Sequence, residues 1–347
     1  MIDNNTKNDE NIVRNKISII TFISSVLVIW IHAYNLNVYE INEKSEGMGL
    51  FVYYVEKIMS NFTLIAVPFF FIISGFLFFR KFEIKNIFSK YISRVRTILI
   101  PYIFWCSFYY FYFVILTNFP YLKEKMNTNT VELSLVGWIN SLWKDEYLTL
   151  WFLQEIIIYI VLSPIIFYLL KNKAIGIISL IILLLLSNYI WNSVHIQGAF
   201  YYMLGAYIAI NYKGIEYYKN RGMSYLSVAF IIGMLLTEFE LLNKTICVSL
   251  LLLVISFFIS VWFILDFFTI KNELPWWMKI TFFTYVLHSA ILEGLEKVVL
   301  IIGGKSNFWA LIDYIFAPIL VFLIIVIIAK ICKNNFPTIW NISTGNR

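Results

Sequence analysis

The sequence predicts an all-α integral membrane protein of about ten transmembrane helices with both termini cytoplasmic. Three observations lead there. Of 347 residues, 60% are hydrophobic and 14% charged, with a mean hydropathy of +0.77. A soluble domain is nearer half apolar and a quarter charged. The apolar residues also fall in continuous runs without alternation, so helices rather than barrel strands would satisfy the backbone in lipid. Finally, the Lys and Arg residues divide unevenly between alternate connecting segments.

Runs of roughly 17–24 apolar residues suffice to cross a hydrocarbon layer about 30 Å thick. The first, 17–36, follows a polar segment, exceeds a signal-peptide core in length and lacks a small-residue cleavage motif, so it is expected to stay as a helix. The next three occupy 62–79, 97–117 and 148–170. Shorter runs at 174–190, 196–210 and 224–240 follow, then 246–268, 280–301 and 309–331. With the N-terminus inside, 19 cations fall in inner segments against seven in outer loops, and one lies within a span. This is the positive-inside pattern. The expected organisation is a cytoplasmic segment 1–16, a membrane domain 17–331 and a cytoplasmic tail 332–347. In the outer loop 118–147, "VELSLVGWINSLW" reads as an amphipathic helix lying on the interface.

The net charge of +6 is that of cytoplasmic loops and implies no nucleic-acid partner. Cys106, Cys247 and Cys332 are scattered, which predicts neither a disulfide framework nor a zinc site. No GxGxxG, Walker loop, HExxH or GxSxG is present, so nucleotidase, metalloprotease and serine-hydrolase readings have no support.

Ionisable groups within apolar runs are functional candidates. His32, in "SSVLVIWIHAYNL", stands roughly 22 Å from the inner face at the rise of a helix. It is either an interfacial histidine wetted by headgroups or a functional group. His288, in "FFTYVLHSAIL", is only about 12 Å deep by the same rise, too far in for headgroup contact. Glu155 follows "LWFLQ" at a depth comparable to His32, and a carboxylate there could orient an imidazole. Glu293, Glu296 and Lys297 read as internal pairing. The segment "RKFEIKNIFSKYISRVRTILIPY" is basic, with Lys90 and Arg94 on one helix face. Such a patch suits phosphate groups or anionic lipid. In "VPFFFIISGFLFFR", Pro68 and Gly75 interrupt a span beside Ser74, permitting close helix contact or a local opening.

In order along the chain, "VLVIWIHAYN", "VPFFFIISGFLFF", "SRVRTILIPYIFW", "LWFLQEIIIYIVLSPII", "GAFYYMLGAYIA" and "FFTYVLHSAIL" resemble acyltransferase family 3. These are polytopic membrane enzymes that acylate bacterial surface sugars. The resemblance implies a cell-membrane protein that takes an acyl group, commonly acetyl, from cytoplasmic acyl-CoA. Lys90, Arg94, Arg96 and Ser74 would hold the donor, and His32, with Glu155 and His288, would serve catalysis. The acceptor would be a glycan or lipid-linked sugar at the outer side of the bilayer, and no metal is implied. Two family arginines are replaced, by Thr21 eleven residues before His32 and by Thr97 three residues after Arg94. Both changes weaken the expected phosphate site. They keep open a transporter on the same helices, or a non-catalytic partner in glycan assembly.

Overall fold

A computed structural model describes residues 4–119, 130–143, 150–189, 194–212, 228, 247–268 and 273–346. Among these, every regular element is helical. Helix α1 spans Asn4–His32, α2 Met48–Thr63 and α3 Ala66–Phe79; α4 (Ile87–Arg94) runs through a π turn, Val95–Leu99, into α5 (Ile100–Asn118). Then come α6 (Leu135–Trp143), α7 (Trp151–Val161), α8 (Ser163–Leu170), α9 (Lys173–Tyr189) and α10 (Val194–Asn211). The chain ends with α11 (Cys247–Ile264), α12 (Thr281–Gly303), α13 (Asn307–Asn335) and α14 (Pro337–Thr344).

Four helical stretches are long and apolar enough to cross a membrane among the described residues: Glu10–His32, Met48–Phe79, Ile84–Asn118 and Asn307–Asn335. A fifth arises if α7 and α8, bent by 66°, form one broken span. These five coincide with expected runs. Those at 174–190, 196–210, 246–268 and 280–301 are helical as α9 to α12. The run 224–240 lies outside the described residues apart from Val228. Helix α6 presents Leu135, Val136, Ile139 and Trp143 outward, an apolar face suited to an interface.

Prolines account for two irregularities. Pro101 has no N–H to offer the Thr97 carbonyl and crowds it, and the helix widens there into the π turn. Pro164 stands in the first turn of α8, where the bend from α7 occurs.

The tightest packing is the crossing of α3 and α10. A Cβ added at Gly75 would come within 2.0 Å of the Tyr202 carbonyl oxygen, and one at Gly205 within 1.9 Å of the Ile72 carbonyl oxygen. The two backbones therefore touch, as small residues allow between membrane helices. Around this pair, α1 packs on α3 and on α12, and α12 turns back through Gly304, at φ +62°, into α13. A buried ion pair, Lys16 Nζ to Asp266 Oδ1 at 2.6 Å, ties α1 to the turn after α11. Lys16 is thus packed in the bundle although it counts toward the inner charge.

Residues at both ends of the chain pack on the bundle: Val13, Asn15 and Lys16 are buried on α1. Within 332–347, α14 buries Trp340, Ser343 and Thr344; Trp105 Nε1 donates to the Ser343 carbonyl at 2.8 Å. Gly345, at φ +67°, closes against the Thr97 backbone.

Gly75→Ala and Gly205→Ala should each destabilise the protein by about 1–3 kcal/mol or more, as overpacking does. Gly294→Ala, whose added methyl meets nothing within 4 Å, should be neutral or stabilising. Thermal unfolding in detergent followed by tryptophan fluorescence checks this; equal midpoints for all three would contradict the close crossing.

Candidate functional site

One face of α12 carries Thr281, Tyr285, His288 and Leu292 at helical spacing. His288 is 1% exposed and lies beside the last residue of α1, His32, which is solvent-exposed. Their ring centroids are 5.0 Å apart, with planes inclined by 48°. His288 Nδ1 lies 2.6 Å from the Tyr285 carbonyl. A carbonyl only accepts, so the proton is assigned to Nδ1 and Nε2 becomes an acceptor. That Nε2 is buried and has no hydrogen-bond partner among the described residues. The neighbouring ring able to offer it an N–H is His32. The pair is thus asymmetric: one imidazole locked and buried, the other open.

Below the pair lies a cavity of about 310 Å³. Its polar lining consists of Thr21, Ser74, Arg94, Tyr202, Thr281 and Tyr285; the rest is apolar, including Phe70, Phe78 and Phe152. The Arg94 guanidinium sits 5.6 Å from the Phe78 ring centroid. At the other side, Tyr285 stands 6.2 Å from His288 and 5.8 Å from Phe152, ring to ring. One side chain therefore separates the cavity from the histidine pair. Thr21 lies eleven residues before His32 on the same helix, about 17 Å along its axis.

The expected donor residues divide. Ser74 and Arg94 line the cavity. Lys90 lies over the rings of Phe78 and Phe82, its Nζ donating to the Phe78 carbonyl at 2.7 Å. Arg96 is exposed and does not line the cavity, being two residues from Arg94 and so on another face of the helix. Thr97 donates to the Ser93 carbonyl at 3.0 Å and is backed by Gly345, away from the cavity; Thr21 is within it.

Glu155 turns to a residue that sequence reasoning passed over. Its carboxylate makes a short contact with Nδ1 of His195, at the start of α10, while the Tyr159 hydroxyl donates to the His195 carbonyl at 2.9 Å. Glu155 is 6% exposed and the His195 side chain 70%. This is a carboxylate-oriented imidazole, but the ring oriented is not His32. The signal was an imidazole at the start of a helix, within "NYIWNSVHIQG". Tyr202 and Tyr285 were likewise hidden among many aromatics.

A family model described as an acyltransferase domain matches residues 15–331. The chain belongs to the acyltransferase 3 family. It is therefore a membrane acyltransferase in the general sense, and the match takes in α1 from residue 15 and almost all of α13, hence the histidine pair and the whole cavity. Neither the curated proteins nor the solved structures contain a match.

Diethyl pyrocarbonate acting on the folded acyltransferase should modify His32 and His195, which are exposed, and spare His288. Peptide mass spectrometry reads the adducts. Modification of His288 at the rate of His32 would contradict the buried, locked ring.

Proposed function

We propose that the protein is a bacterial cell-membrane O-acyltransferase that moves an acyl group, most simply acetyl, from cytoplasmic acyl-CoA to a hydroxyl of a surface or lipid-linked glycan. One observation carries this reading: a single cavity has Arg94 in its wall and ends one side chain short of the His32–His288 pair. In the orientation given by the cation bias, the Arg94 end faces the cytoplasm and the His32 end the opposite side.

CoA phosphates bind at Arg94 through charge-assisted hydrogen bonds. The acylated arm enters between Ser74, Phe78 and Tyr202, and the thioester reaches Tyr285 and the histidines. The acceptor hydroxyl approaches the exposed ring of His32. Its oxygen attacks the thioester carbonyl while His32 takes its proton. The carbon–sulfur bond then breaks, and the thiolate leaves and recovers a proton from the imidazolium. His288 positions His32 by packing ring to ring at 5.0 Å, and its unpartnered Nε2 lone pair is the acceptor nearest to an N–H of His32, whose other nitrogen then acts as base.

A transporter remains the second reading, and Thr21 favours it, because a hydroxyl lines the cavity where the family carries an arginine.

His32→Ala should lower acyl transfer by about 10²–10⁴-fold, the usual contribution of a positioned base, with acyl-CoA affinity nearly unchanged. Arg94→Ala should weaken acyl-CoA binding by roughly tenfold to a hundredfold, the equivalent of about 1.5–3 kcal/mol for a charged hydrogen bond. Thr21→Arg should tighten it. Acylated glycan by mass spectrometry and equilibrium binding of labelled acyl-CoA are the measurements. Full activity of His32→Ala would remove the assigned base; solute flux dependent on His32 without acylation would establish the transporter.

A further inference from the structure

Just beyond His32 the bundle contains acids for which acyl transfer has no use. Glu56 on α2 is 0% exposed and Asp313 on α13 is 1% exposed. Both are joined through Asn35, in the turn after α1: its backbone N–H donates to Glu56 Oε2 at 3.1 Å and its Nδ2 to Asp313 Oδ2 at 3.3 Å. The Tyr39 hydroxyl approaches the same Asp313 oxygen at 3.5 Å. This leaves one further oxygen on each group, Glu56 Oε1, Asp313 Oδ1 and Asn35 Oδ1, buried and with no hydrogen-bond partner among the described residues. The Tyr314 hydroxyl is a fourth such oxygen, on a ring 1% exposed that lies within the field of Glu56. A third carboxylate, Glu296 on α12, is within electrostatic reach of the pair. No Lys or Arg pairs with Glu56 or Asp313 among the described residues.

Two buried carboxylates without a counter-charge are strongly unfavourable in a low-dielectric interior. With both acids ionised, three of the four orphan oxygens can only accept, and only Tyr314 has a proton to give. The group therefore lacks positive charge, and more hydrogen bonds among its own members would not supply it. Its donor set is all oxygen. Among the described residues no group of three or more His, Cys, Asp and Glu side chains could hold a metal ion, so an ion here rests on two carboxylates and neutral oxygens, a set without the nitrogen or sulfur ligands of zinc-like ions. Carboxylates with neutral carbonyl and hydroxyl oxygens suit a hard cation. Two carboxylates balance a divalent ion, and irregular geometry away from water favours calcium over magnesium, which keeps its waters and demands an octahedron.

We propose that Glu56, Asp313, Asn35 and Tyr314 form a calcium site that clamps α1, α2 and α13 together at the His32 end. The site stands independently of the acyl-transfer reading.

The test is thermal unfolding of the purified full chain in detergent, with about 5 mM CaCl₂, above the 10⁻⁴–10⁻³ M dissociation constants of extracellular calcium modules. MgCl₂, NaCl and choline chloride at matched ionic strength are the comparisons. Calcium alone should raise the midpoint by several degrees, and Glu56→Gln and Asp313→Asn, which preserve shape, should lose the rise. No calcium-specific rise in the parent, or one kept in both variants, overturns the site. An equal rise with sodium overturns the divalent assignment. Stabilisation by acidification without any calcium effect shows that protons neutralise the pair, and also overturns it. Should the variants fail to fold, calcium-45 equilibrium binding to the parent decides: one ion per chain supports the site and none overturns it.

Discussion

The backbone contact between α3 and α10 is the constraint on which the rest of the site depends. At two levels of the crossing, a glycine of one helix meets a carbonyl of the other at a separation no Cβ tolerates. That contact fixes both the distance and the rotation of the two helices. Ser74 is beside Gly75, and Tyr202 contributes the very carbonyl against which Gly75 packs, so the crossing brings both into one cavity wall. One turn before Tyr202, Gly198 admits the Phe71 ring and the Tyr159 hydroxyl. Tyr159 in turn holds the His195 carbonyl. A wider crossing would separate Tyr202 from Ser74 and loosen the stack that leads to Phe152 and Tyr285.

The second organising feature is how polar groups are spread along the bundle. A guanidinium lies at one end of the cavity, two imidazoles lie past the other, and aromatic rings fill the interval. The low-dielectric walls strengthen whatever electrostatics act there. The locked tautomer of His288 costs little to maintain, since a carbonyl of its own helix accepts its proton. His32 lies at the last residue of its helix, and the turn that follows is anchored by Asn35 to α2 and α13. Lys305 and Glu40, 2.5 Å apart, add a surface tie between two loops at this end, and Lys305 holds the Glu40 carboxyl below its usual range.

The helical membrane class was legible because composition and run length alone carry it. His32 and Ser74 stood out as polar groups in apolar runs and Arg94 as a cation in a basic segment; the fold puts Ser74 and Arg94 in one cavity wall and His32 beside His288. Legibility failed where a residue acts through a neighbour distant in sequence. Glu155 was visible as a buried acid, but its partner His195 is set by the packing of α7 on α10. Arg96 was grouped with Arg94 by the resemblance alone, although residues two apart lie on different faces of a helix, and it stays outside the cavity wall. Lys16 counted as a topology signal, yet Asp266 draws it into the interior. The packing of α14 was not legible because its anchors, Trp340 and Ser343, are evident only against Trp105 and Phe283.

The central claim is that one cavity carries an acyl group from the Arg94 end to the histidine pair across the bilayer. Sealed proteoliposomes of known orientation test it most directly, with labelled acetyl-CoA on one side and a surface-glycan acceptor only on the other. The account requires acylated acceptor when the donor is on the Arg94 side, without permeabilisation, and none when the sides are exchanged. Transfer only after detergent opens the vesicles, or equal transfer in both arrangements, would contradict it.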